Sequence, residues 1–322
     1  MEHPPLQSPV DPRRLPLETE LLLVELLRDV TGSRVELIGY EIANRGHDYT
    51  VLVVSLAHPT SKVVVKLAGP RAVIPCPFER TAALHRLVRQ RTTVPLPEVL
   101  AVDVSYRRWP WRYMVKTHVG GEEWSAVYPR LEGYELDDAY RQIGDAVAQL
   151  HGITFQGFGE LSDEGTISSG AAHVVALAER AKMRIPSERS LELFLGLLDR
   201  EAPLFRSVRH ARLCHEDLHK HNILFRGEEG RWQLAAILDF DSAWAGHRES
   251  DLARLELWRG MAGPGFWEAY MAKLPLDEGY AERRPIYQLL WCLEYASTTP
   301  EHLADTRRIC ARLGLAPVEG FA

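Results

Sequence analysis

The apolar residues of this 322-residue chain change their spacing once, and that change restricts the fold more than any other feature. From Val35 to Lys66 short apolar runs alternate with turn residues (Asn44, Arg45, Gly46; His58, Pro59), as in an antiparallel sheet. The pattern predicts strands over residues 35–42, 50–56 and 62–67. Alternation along the last of these puts Lys62, Val64 and Lys66 on one face and Val63, Val65 and Leu67 on the other, so Lys66 faces away from the more apolar side. A helix over 18–29 precedes the strands and another over 77–88 follows them. Two more strands, 98–104 and 112–117, lead to Gly120-Gly121. Beyond that point helical spacing dominates, over 137–151, 172–183, 191–205, 250–258, 265–273 and 286–298. The exception is 212–242, where apolar runs at 222–225 and 232–238 flank Gly227-Glu228-Glu229-Gly230 as a hairpin. A sheet-forming part followed by a helical part is an α+β protein, with lobes expected at 1–118 and 119–322.

Composition narrows the function. With 46% hydrophobic and 25% charged residues the chain is globular rather than disordered. No apolar run approaches the ~18 residues that cross a bilayer. The first 20 residues mix prolines and charges and do not read as a secretion signal. Four scattered cysteines (Cys76, Cys214, Cys292, Cys310) form no disulfide framework, which points to a cytoplasmic protein. The net charge of −6 argues against nucleic acid or an anionic membrane as partner. Charge is uneven, however: residues 1–118 hold 16 Lys+Arg against 12 Asp+Glu, and residues 119–322 hold 22 against 32.

The densest cluster of ionisable groups runs from His215 to Asn222, followed after the hairpin by Asp239-Phe240-Asp241. Two chemistries compete for it. As H-E-x-x-H on a helix, His215 and His219 would bind zinc with Glu216 as general base. A strand-like 211–214 leads into the motif and an Ile-Leu-Phe run leaves it, which suits a zinc helix poorly. As H-x-D-x-x-x-x-N on a loop, the cluster meets the needs of phosphoryl transfer: Asp217 accepts the attacking hydroxyl's proton, and Asn222 and Asp239 hold magnesium on a triphosphate. A solvated polar turn is the bland alternative. It is weakened by Asp239, which ends the apolar run Ala235-Ala236-Ile237-Leu238, where a carboxylate without a partner would be costly. Upstream, Lys66 on its strand and Glu79 on the next helix come in the order expected of a phosphate-binding cation and its counter-carboxylate, although each alone would pass for a solvated surface charge.

Together these residues resemble the aminoglycoside phosphotransferase family. The resemblance rests on Val63 to Lys66, Phe78 to Leu84, Val94 to Val99, Gly144 to His151, Gly157 to Gly159, His215 to Leu224, Ile237 to Asp241 and Asp251 to Ala253. It implies a two-lobed protein-kinase-like fold with an antiparallel sheet lobe and a mainly helical C-terminal lobe. It further implies a small-molecule kinase using ATP or GTP and Mg2+, with Asp217 as base, Asn222 and Asp239 as metal ligands, and Lys66 paired with Glu79. The stretch Val115, Lys116, Thr117 and His118 would be the hinge that meets the nucleotide base. Asp251 would anchor the catalytic loop, His215 would be structural, and Asp241 would bind the metal or support it from behind.

Three residues or segments depart from the family pattern. The nucleotide loop from Asn44 to Thr50 has one glycine. Glu216 stands where the family has a small residue. His219-Lys220-His221 adds positive charge beside the base. Between Asp241 and Asp251 there is no room for the activation segment of a protein kinase, and a pseudokinase is disfavoured because every required residue is present. Fold does not give the acceptor: aminoglycosides, macrolides and metabolic alcohols all remain. Six carboxylates after Gly246 (Glu249, Glu256, Glu268, Asp277, Glu278, Glu294) suggest a cleft for a cationic, aminoglycoside-type antibiotic. Neighbouring aromatics (Trp244, Trp258, Phe266, Trp267, Tyr270, Tyr287, Trp291, Tyr295) suit a larger, more apolar acceptor.

Overall fold

The computed structural model describes residues 17–32, 35–45, 49–57, 60–69, 77–167, 170–316 and 318. The N-terminal tail, the tip of the nucleotide loop (Gly46 to Asp48), the turn at His58-Pro59 and Cys76 lie outside these residues. The chain divides into two compact units. The first takes the described residues up to Leu87 together with Leu96–Gly120 and Asp163–Gly165; the second takes Val88–Pro95, Gly121–Ser162 and the described residues from Thr166 onward.

In the first unit, helix α1 (Leu17–Thr31) precedes strands β1 (Leu37–Arg45), β2 (Tyr49–Ala57) and β3 (Thr60–Ala68). Helix α2 (Phe78–Arg91) begins in this unit, and β4 (Val99–Asp103) and β5 (Arg112–Thr117) complete an antiparallel sheet in the order β1-β2-β3-β5-β4. The alternation seen in the sequence sorts its two faces. Leu52, Val54, Val63, Val65, Leu67 and Val115 pack with Leu23, Leu26 and Leu27 of α1 and with Trp109 and Trp111. On the other face Ala68 and Met114 pack with Phe78 of α2. Lys66 pairs with Met114 across the ladder and is buried even though it lies off the main apolar face.

The second unit begins with a short β6 (Glu122–Glu123) and a single turn α3 (Trp124–Val127), then the long α4 (Gly133–Gly152) and β7 (Thr154–Phe155). Helices α5 (His173–Arg184) and α6 (Glu188–Arg200) follow. Strands β8 (Ala211–Cys214), β9 (Ile223–Glu228), β10 (Arg231–Ile237) and β11 (Trp244–Gly246) carry the loop that holds the ionisable cluster. Helices α7 (Glu249–Leu257), α8 (Pro264–Lys273), α9 (Tyr280–Tyr295) and α10 (Pro300–Arg312) close the unit. Its strands form two small sheets, β10-β9-β6 and β11-β8-β7. Helices α4 and α8 cross closely because Gly144 has no side chain: a Cβ there would sit 2.3 Å from the Phe266 carbonyl oxygen. Among the described residues no helix is long and apolar enough to cross a membrane.

Two helices differ from the periodicity. The helix expected over 286–298 instead starts at Tyr280, after Gly279 at φ 83°, runs through Pro285 and ends at Tyr295. The 13-residue α10 was not expected, although Thr299 followed by Pro300 is a capping signal: the Thr299 hydroxyl accepts from the His302 N–H, and the proline occupies the first turn. The fold is α+β, a sheet lobe with a helix and a mainly helical C-terminal lobe, as the sequence predicts.

Candidate active site

The chain from His215 to Asn222 is irregular loop between β8 and β9, with no helix to place His215 and His219 on one face. The zinc reading therefore fails on geometry, and both ring nitrogens of His215 are in use besides. Nε2 lies 2.8 Å from the Leu238 carbonyl oxygen, and Nδ1 accepts from the Asp217 N–H at 3.2 Å. The imidazole thus ties the loop to the end of β10, with its ring centre 4.5 Å from that of Phe240 and the planes tilted by 57°.

Asp251, at the start of α7, holds the loop from beneath. Its carboxylate accepts the backbone N–H groups of His215 and Glu216, both at 2.7 Å, and lies 3.0 Å from His151 Nε2 of α4. The other nitrogen of His151 meets the Tyr270 hydroxyl of α8 at 2.9 Å. Burial alone would raise the Asp251 carboxyl, but the bonds from His151 and the His215 N–H outweigh it and hold the pKa below the ordinary value. Three elements distant in sequence meet on one buried carboxylate.

Glu216 occupies the left-handed region at φ 65°, where a small residue without Cβ strain is favoured. Its side chain compensates: the buried carboxylate accepts from Trp244 Nε1 at 2.9 Å and from the Ser250 hydroxyl, and it pairs with Arg254 at 3.0 Å. Asp239 is likewise left-handed, at φ 62°, just before a short 3-10 turn over Phe240–Ser242. Strained non-glycine positions of this kind concentrate at functional sites.

Asp217, Asn222 and Asp239 come together through the hairpin. The Asn222 side-chain amide donates to the Asp217 carbonyl at 2.9 Å and to Asp217 Oδ2 at 3.1 Å, while the Asn222 carbonyl accepts the Leu238 N–H at 2.8 Å. Burial and then the charge of Asp239 push the Asp217 carboxyl up to about 7, against the pull of Arg254 and of the Asn222 bond. His219 does not supply the positive charge expected beside the base. Burial, with the repulsion of His221 and His215, lowers His219 to about 4, so it is neutral at pH 7. The His221 ring meets Glu123 Oε2 at 2.6 Å.

Lys66, Glu79 and residues 115–118 belong to the first unit. Lys66 and Lys116 are buried on their strands, Val115 is fully buried, and Glu79 is exposed in the first turn of α2. The Thr117 N–H donates to the Glu98 carbonyl at 2.9 Å and the His118 N–H to the Lys62 carbonyl at 3.1 Å, so these two donors serve the sheet. Burial and the charge of Lys62 lower the His118 pKa.

The acidic lining expected of the acceptor region is not free charge. Glu249 pairs with Arg283 at 2.6 Å, Glu256 with Arg284 at 2.8 Å, Glu268 with Arg141 at 2.8 Å, Asp277 with Arg248 at 2.6 Å and Glu294 with Arg254 at 3.3 Å. Five of the six carboxylates are thus ion-paired, two of them, Glu268 and Asp277, at the surface, and spacing along the chain does not reveal the pairing because each arginine lies in a distant segment.

A model of the phosphotransferase enzyme family, APH, matches residues 41–286. A probable ketoamine kinase of Vibrio cholerae serotype O1 is 28% identical over 236 residues, 68% of this chain and 74% of that protein. A probable ketoamine kinase of Enterococcus faecium is 34% identical over 84 residues, which span 26% of this chain and 28% of the relative's own length. In structure, the chain is similar to a thermostable mutant of aminoglycoside phosphotransferase APH(4)-Ia in complex with ADP and hygromycin B, with TM-score 0.62, 17% identity, and 91% and 96% of the two chains covered. It is also similar to Plasmodium vivax ethanolamine kinase, with TM-score 0.51, 13% identity, and 86% and 82% covered. At these identities the structural likeness shows the fold alone. With more than three quarters of its length matched by the family model, and with a sheet lobe and a helical lobe of protein-kinase-like fold, the chain belongs to the APH phosphotransferase enzyme family.

Proposed function

We propose that this protein transfers the γ-phosphate of ATP or GTP, with Mg2+, to a hydroxyl of a small molecule, ring-bearing acceptors of the aminoglycoside type being the first to test. One observation carries the reading: Asn222 is bonded at once to the backbone and to the carboxylate of Asp217 and clamped by the Leu238 N–H beside Asp239. A proton acceptor and two hard oxygen donors therefore share one half-buried corner. The Asn222 amide nitrogen is committed to Asp217, which leaves its oxygen as the donor atom, and amide and carboxylate oxygens are the ligand chemistry magnesium takes. The residues present fit the ion, and Asn222 and Asp239 would hold it. When bound, magnesium neutralises charge on the β and γ phosphates.

The protein's own part is positional and protonic. Asp217 Oδ1, the oxygen not bonded by Asn222, accepts the acceptor hydroxyl's proton as its oxygen attacks phosphorus and the diphosphate leaves. Lys66 takes charge from the α and β phosphates with Glu79 as its partner, and residues 115–118 receive the nucleotide base. ADP in the structural neighbour supports a nucleotide here. The test is acceptor-dependent ADP formation with ATP or GTP against a panel of hygromycin B, a macrolide, a ketoamine and ethanolamine, in magnesium and in EDTA. Magnesium-dependent ADP formation with at least one acceptor is expected; ADP release by water alone, or none with any acceptor, overturns the reading.

A further inference from the structure

A continuous run of aromatic rings leads away from the proposed base. His219 Nε2 lies 3.7 Å from Asp217 Oδ1, and both side chains are open to solvent, at 31% and 38% exposure. The His219 ring meets Trp258 at 5.6 Å edge to face. Trp258 meets Trp291 of α9 at 4.9 Å, and Trp291 stacks parallel on Tyr295 one turn further along the helix, at 5.5 Å. The outermost ring is the anomaly: Tyr295 is 64% exposed, on a helix whose other face is packed into the unit. Ala296 then ends α9 in the left-handed region at φ 47°, which fixes Tyr295 as its last residue. Large rings held in fixed orientation and left open mark a place where a ligand supplies the missing cover.

Three carboxylates near this run are ion-paired. Glu294 and Glu216 pair with Arg254, and Glu123 with His221. Arg254 also lies 6.0 Å from the centre of the Trp291 ring. An indole already facing a guanidinium is a poor seat for a second cation. Ring faces without free carboxylates bind by area and by contact with C–H or aromatic surfaces.

We propose that Trp258, Trp291 and Tyr295 form the acceptor platform, and that the acceptor is a molecule whose reacting hydroxyl sits on, or next to, a ring whose face packs on these side chains. The proposal rests on the phosphotransfer reading of Asp217 and names the acceptor class for that site. Acyclic amino alcohols, which offer a cation and little area, are poor acceptors on this account.

The test has two readouts on the full chain. Tryptophan fluorescence of the ADP-saturated protein is titrated with hygromycin B and a macrolide as ring-bearing probes, and with ethanolamine and homoserine as acyclic ones. Steady-state kinetics follow for wild type, Trp291→Leu and Tyr295→Ala. The second variant removes an exposed ring and leaves folding intact. At least one ring-bearing probe should give saturable quenching, and both variants should raise its KM about tenfold with kcat within about threefold, as expected for lost stacking. An unchanged KM in Tyr295→Ala, an acyclic acceptor used more efficiently than every ring-bearing one, or quenching and turnover both absent would overturn the platform. Quenching that disappears in the variants but is accompanied by no ADP formation would leave the platform standing and bring down phosphotransfer instead.

Discussion

At the scale of single residues, the site trades backbone comfort for fixed side chains. Asp239 and Glu216 both sit at positive φ, the first leading into a 3-10 turn and the second bonded by Trp244 Nε1. Asp239→Ala removes a proposed metal ligand and should lower kcat at saturating magnesium by about 10³-fold or more; near wild-type turnover would show that Asp239 holds no ion. Asp217→Asn should retain ADP binding, measured by calorimetry, while losing turnover, because only the proton's destination has changed. Glu216→Gln keeps the shape and removes the charge that faces Arg254. Breaking one partner out of a buried pair typically costs about 3–5 kcal/mol. Urea unfolding of this variant should show a loss of that order, and a loss under ~1 kcal/mol would mean that Glu294 alone satisfies the arginine.

At the scale of elements, the loop from His215 to Asn222 has no regular structure of its own and borrows rigidity from α4, α7 and α8 through Asp251, His151 and Tyr270. The prediction here concerns pH. The Asp251 carboxyl is held below its ordinary value, so its contribution to stability is complete above the unfolded-chain value of about 4 and is lost as pH falls through the lower folded value. Asp251→Asn should therefore be less stable than wild type at neutral pH and should show a flatter acid limb of stability between about pH 5 and 2. Parallel acid limbs in the two proteins would assign the acid sensitivity elsewhere. The same network explains why α7 starts where it does: Ser250 and Asp251 in its first turn face inward to the loop rather than outward to water.

At the scale of the whole molecule, net charge is a poor guide to the acceptor. The −10 balance of residues 119–322 suggested carboxylates gathered around a cationic ligand, but five of the six candidates are ion-paired with arginines. The acceptor's kcat/KM at saturating nucleotide should then change by less than about twofold between ~0.05 and ~0.5 M salt, because paired charges steer little. A steep fall with salt would restore the electrostatic account. Zinc analysis of the purified protein should find no stoichiometric metal at His215, both of whose ring nitrogens are engaged.

The sequence by itself determined the local features: the strand alternation that buries Val63, Val65 and Leu67, the hairpin between Asn222 and Asp239, and the loop motif with the family it resembles. Each depends on neighbours a few residues apart, so spacing suffices to read it. Helix limits at proline were less legible, because Pro285 stops a helix in isolation while tertiary packing of α9 carries the helix through it. Contacts between distant segments were decided only by the tertiary structure. Glu216 reads in the sequence as a departure from the family pattern, and folding turns it into the charge that holds Arg254, 38 positions away. His219 reads as a cation, and burial makes it neutral. Charge state and ring stacking depend on what surrounds a side chain in space, and a linear order of residues does not contain that information until the chain has packed.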